Sequence, residues 1–113
     1  MRKLFAVIAA SALAGCASVE DVAQNSPLGS TMSTKDLAAL ENCVSTTWRD
    51  QKATVERFPS DTGIRLSATY FFYAPTVVAT ADIAEANGQR SLTVRSTGKG
   101  GDKKLARLAL DCA

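Results

Sequence analysis

Three cysteines, Cys16, Cys43 and Cys112, are the most chemically distinctive side chains of this 113-residue chain, and histidine is absent. That absence removes the commonest metal ligand and the commonest general base together. A zinc centre is not expected, because two or three thiols without histidine make an incomplete ligand set. Serines and aspartates are present, but no His or Cys partner accompanies them, and paired carboxylates at a useful spacing are missing. Glu85 already has a structural partner in Arg90. The chain therefore reads as a non-enzyme, with no catalytic residues, no metal and no cofactor. Gly98 to Lys104 is rich in glycine and lysine before a helical pattern, which superficially suggests anion binding. It lacks the phosphate-loop spacing of glycine followed by Lys and Ser or Thr, so a plain connection is the better reading and no nucleotide is expected. Lys99, Lys103, Lys104 and Arg107 read as a solvated face, with contact to anionic lipid or polysaccharide a weaker idea.

The surroundings of Cys16 are more informative. Arg2 and Lys3 precede an uncharged apolar run from Leu4 to Leu13, which is far shorter than the roughly 20 residues that span a bilayer. Leu13-Ala14-Gly15-Cys16 follows. These four residues resemble the lipobox of bacterial lipoproteins: Leu, two small residues and an obligatory Cys after a short signal peptide. The resemblance covers residues 1–16. It implies that residues 1–15 are a signal peptide, that cleavage falls between Gly15 and Cys16, and that the Cys16 sulfur carries a diacylglyceryl group, usually with an acyl chain such as palmitate on the new amino group. Two or more chains anchor stably where one does not. In that family an Asp after the cysteine favours inner-membrane retention. Ala17 stands there instead, so the expected address is the outer membrane, at its periplasmic face.

Export also changes the charge and the cysteine chemistry. Subtracting Arg2 and Lys3 from the 13 basic residues leaves 11, equal to the 11 acidic ones. A formally neutral mature chain offers nothing to a nucleic acid. In an oxidising compartment paired thiols persist as disulfides, and Cys43 with Cys112 is the single intramolecular pairing left. Free buried thiols or an intermolecular bridge are the alternatives.

The elements that must position these residues follow from periodicity. Apolar residues at 46% and charged residues at 21% suit a globular domain. Residues 17–32 have no sustained period and read, with the lipidated Cys16, as a flexible tether. Residues 33–113 then form one small α+β domain. A helix is expected from Ser33 or Thr34 to about Asp50, opened by a capping-box variant of Ser33 with Asp36. Leu37, Leu40, Val44 and Trp48 form its apolar stripe, and Cys43 sits at the stripe's edge. Residues 51–59 are ambiguous between a helical turn and a strand. Three strands are expected at Ile64–Tyr73, Thr76–Ala86 and Gln89–Ser96. Asn87-Gly88 closes the last two as a hairpin that pairs Glu85 with Arg90, Ile83 with Leu92 and Ala81 with Val94. A short final helix, capped by Asp102, carries Leu105, Leu108 and Cys112. The expected fold is an N-terminal helix packed on a three-stranded antiparallel sheet, with a short C-terminal helix and one disulfide.

Strand alternation sends Tyr70 and Phe72 one way and Phe71 and Tyr73 the other. Ile64 and Leu66 share the first face, so Tyr70 and Phe72 are expected in the core. Phe71 and Tyr73 are then the exposed patch and the candidate partner surface. The expected function is a membrane-anchored envelope lipoprotein that acts as a structural or interaction module for another envelope protein. The other class considered is a periplasmic inhibitor or immunity lipoprotein directed against a toxin or a cell-wall hydrolase.

Overall fold

The computed structural model describes residues 18–97 and 102–113, without the side chain of Asp102. Cys16, Lys99 and the expected cap by Asp102 lie outside what is described. The elements in chain order are α1 (Val19–Ala23), β1 (Gly29–Ser33), α2 (Leu37–Asp50), β2 (Thr54–Pro59), β3 (Gly63–Phe71), β4 (Pro75–Ala86), β5 (Gln89–Ser96) and α3 (Asp102–Leu110). All strand pairs are antiparallel, in the spatial order β1-β5-β4-β3-β2.

The expected three-stranded sheet is thus corrected to five strands, and the expected N-terminal helix is the second helix. Residues 18–33, expected as tether and helix start, form α1 and an edge strand instead. The physical reason is the inward face of β1. Register places Gly29, Thr31 and Ser33 opposite Val94, Leu92 and Arg90. Gly29 leaves room for Leu110, whose Cδ1 would lie 2.5 Å from an added Cβ. The Ser33 hydroxyl donates to the Ala113 carbonyl at 3.2 Å and accepts the Lys35 amide at 3.1 Å. An edge strand that packs through a glycine and hydroxyls shows no apolar alternation. The other edge, β2, buries only Val55, and that in part; the remaining residues, including Phe58, are exposed.

Helix α2 is capped by Asp36, not Ser33: the Asp36 carboxylate accepts the Ala39 amide at 2.7 Å. A capping box does exist, at Ser18 and Asp21 of α1. Helix α2 ends with the Ala53 amide donating to the Trp48 carbonyl and the Lys52 amide to Arg49, while Lys52 takes φ of 72°. This is the Schellman closure, with lysine where glycine is usual.

Helices α2 and α3 cover one face of the sheet. The core there comprises Leu40, Val44 and Trp48 of α2, Leu105, Ala106 and Ala109 of α3, and Ile64, Leu66, Ala79, Ala81, Ile83, Leu92 and Val94 of the sheet. The Trp48 indole N–H donates to the Leu105 carbonyl at 2.8 Å, so the largest core side chain is also satisfied. Cys43 and Cys112 form the disulfide, with Cα atoms 5.8 Å apart. The Asn87-Gly88 hairpin has the expected pairing throughout, with φ of 54° and 80° at its two turn residues. Arg90 donates to Glu85 at 2.9 Å and also to the carbonyls of Thr34 and Lys35.

Candidate functional site

Among the described residues, the second face of the sheet is covered only by the short helix α1, and the exposed chemistry gathers around it. Val22 is the one fully buried residue of α1, and the helix packs on β4 and β5. Its C-terminal end is fastened to β5: the Asn25 side-chain amide donates to the Ser96 carbonyl at 2.8 Å, and Arg95 donates to the Asn25 carbonyl at 3.0 Å. Under this cover lie Ser67 and Thr80, directly opposite one another across β3 and β4, with buried hydroxyls that find no hydrogen-bond partner among the described residues.

One step along the same strands, Asp82 accepts from Arg65 at 2.6 Å and from Arg95 at 2.9 Å. One carboxylate thus holds two guanidinium groups from β3 and β5. The hydrogen bond to Asp82 is the largest influence raising the Arg65 pKa above its ordinary value, partial burial opposes it, and the Asp82 and Glu20 charges add to it. Arg65, Asp82 and Ala84 form part of the wall of an open cleft of about 410 Å³, with Val19 and Glu20 of α1 and the apolar Phe58 and Pro59 of β2.

A second cleft, of about 590 Å³, opens on the other side of the α1 N-terminus. Ser18 and Val19 line it with Thr54, Glu56, Thr69, Phe71, Pro75 and Val77. Its rim is the β3–β4 turn, which carries the sequence's aromatic run. Phe71 is 72% exposed, Phe72 61%, and Tyr73 fully exposed. The exposure expected for Phe71 and Tyr73 is present. The burial expected for Phe72 is corrected: β3 ends at Phe71, and Phe72 lies in the turn. Its ring centroid is 6.3 Å from that of Tyr70. Tyr70 does face the core side, where its hydroxyl donates to the Gln51 carbonyl at 2.7 Å. Helix α2 stops at Asp50, so it offers nothing to cover the next ring along.

The turn is held by its own bonds. The Phe72 amide donates to the Ala74 carbonyl at 3.2 Å, and the Thr76 hydroxyl donates to the same oxygen at 3.1 Å. Sequence reasoning found the aromatic pair but missed the first cleft, since no local pattern announces that Phe58 and the Arg65–Asp82 pair share a wall. The cross-strand Arg65–Asp82 pairing was the only available sign. Among the described residues, no cluster of three or more His, Cys, Asp or Glu is placed to hold a metal, and no helix is long and apolar enough to cross a membrane. No family model and no curated protein matches the chain.

Proposed function

We propose that the protein is a lipid-anchored envelope domain, carried on Cys16 at the periplasmic face of the outer membrane, that serves as an interaction module for another envelope protein. The observation that supports a binding role is the first cleft. Its wall joins Phe58, 40% exposed, to the paired charges of Arg65 and Asp82, and Arg95 holds the same Asp82 carboxylate from β5. An apolar surface next to fixed, partly buried charge suits a protein ligand, because it supplies both contact area and register. The address rests on Leu13-Ala14-Gly15-Cys16. A lipid attached there places the described domain, which begins at Ser18, close to the membrane.

Two measurements test this reading. Cells fed a clickable fatty acid should label the wild-type chain and leave Cys16→Ser unlabelled; equal label on both defeats the lipoprotein reading. Crosslinking and pull-down of the native lipoprotein from membranes should capture an envelope protein, and Phe58→Ala should weaken that capture without altering the melting temperature by more than a few degrees. A toxin or cell-wall hydrolase as the captured partner would favour an inhibitor or immunity role instead.

A further inference from the structure

We infer that the turn carrying Phe71, Phe72 and Tyr73 contacts the bilayer itself, so that the anchored domain sits on the membrane through these rings rather than swinging on a tether. This rests on the lipoprotein reading above and adds an orientation to it. The argument begins at Ser18, which lines the same cleft as Phe71 and Pro75. Two peptide units separate Ser18 from Cys16, a reach of about 7 Å when fully extended. A lipid on Cys16 therefore keeps the cleft and its aromatic rim within a few residues' reach of the headgroups.

Three consecutive aromatic side chains lie exposed on that rim. The backbone beneath them is fixed by the bonds to the Ala74 carbonyl, and Tyr70 is tied to Gln51, so little ordering remains to be done on contact. Two apolar rings beside a phenol suit the boundary between headgroups and acyl chains, where one end of an inserted group is dry and the other wet. A protein partner would have to enter the space that the anchor assigns to lipid.

Charge at this end of the sheet does not supply the attraction. The end of α2 with its closing turn, the start of β2 and the first turn of α3 all lie here, since Thr54 pairs with Thr69 and Trp48 bonds Leu105. They bring Arg49, Lys52, Lys103 and Lys104 against Asp50 and Glu56, and the first turn of α1 beside the cleft adds Glu20 and Asp21, so the described side chains balance. Contact made by rings should be strong on neutral lipid and nearly insensitive to salt.

The test uses the full lipoprotein with a benzophenone amino acid placed at position 72, at 73 in a second sample, or at 87 as a reference in the hairpin turn at the opposite end of the sheet. Each is reconstituted in phosphatidylcholine vesicles and irradiated. Phospholipid adducts at 72 and 73 should exceed those at 87 by about tenfold, and should persist at high salt. Equal adducts at all three positions, or adducts to a second copy of the chain at 72 and 73, overturn the inference. The mass of the N-terminal peptide from the same samples reports the lipid on Cys16 separately. A lipidated Cys16 without lipid adducts at 72 and 73 defeats the orientation alone. An unmodified Cys16 defeats the lipoprotein reading and the orientation with it.

Discussion

Ser67 and Thr80 face each other under α1 with hydroxyls that have no partner among the described residues, and a buried unpaired hydroxyl costs about 1–3 kcal/mol. Removing both polar atoms removes that cost. The double variant Ser67→Ala with Thr80→Val should therefore hold or raise the melting temperature, against the usual direction for changes at fully buried positions. A fall of more than a few degrees would mean that the hydroxyls are satisfied in solution. Tyr70 shows the opposite case, a polar group with a partner. Burial pushes its phenol above the ordinary tyrosine range. A raised pKa means that the folded state holds the proton more tightly. The contribution to stability is present below about pH 10 and is lost as pH climbs through the folded value. Tyr70→Phe should cost about 1 kcal/mol at neutral pH through the lost bond to Gln51, and should flatten the alkaline limb of a stability–pH curve. Unchanged alkaline sensitivity would assign that limb to another group.

Elements with local signals were legible in the sequence, and elements held by distant partners were not. The hairpin needs only Asn-Gly and an alternation that agrees on both sides, so its register, its Glu85–Arg90 pair and the limits of β5 follow from contiguous residues. Helix α2 was legible from its stripe, though the capping pattern was read one turn early because Ser33 is committed to β1 and to the Ala113 carbonyl. Strand β1 was illegible because its inward residues are Gly, Thr and Ser, whose fitness depends on Leu110 and on the far end of the chain. The aromatic site was half legible: alternation gives the exposure of Phe71 and Tyr73, but not where α2 ends and thus not the exposure of Phe72. Two glycines test the strand pairings. At Gly63 an added Cβ would meet the Ile83 carbonyl oxygen at 1.9 Å, so Gly63→Ala must push β3 from β4 and should cost well over the roughly 1–2 kcal/mol expected for Gly88→Ala, where only the positive φ is at stake. Denaturant titration of both variants should return that order.

At the scale of the whole molecule, one covalent link joins α2 to the residue pair that ends the chain as described. Cys43 and Cys112 are 69 residues apart, and closing so long a loop in the unfolded state is worth on the order of 4 kcal/mol in the chain-entropy model. The described domain is small, and its total stability should be of the order of 5–15 kcal/mol, so reduction should lower the melting temperature by well over ten degrees. Thiol alkylation with mass measurement, before and after reduction, identifies the two states being compared. Two free thiols in the unreduced protein would contradict the bridge. The Lys35 ammonium donates to the Cys112 carbonyl at 2.6 Å and Ser33 to that of Ala113, so the bridge works beside polar contacts that pin the same segment.

Strand β1 pairs with β5, not with any strand that follows it closely in the chain. Its partners, Arg90 to Val94, are translated about sixty residues later. A chain that emerges from a membrane pore N-terminus first would therefore present β1 early and seat it late. The bond-forming edge of β1 stays unclaimed until β5 arrives, and the segment from Leu110 to Ala113 then packs against β1. On the proposed export route, vectorial delivery would work against early closure of this sheet, and the domain would reach the far side as an open thread until β5 and α3 follow β1 through. A chaperone that binds extended polypeptide has that whole interval in which to act.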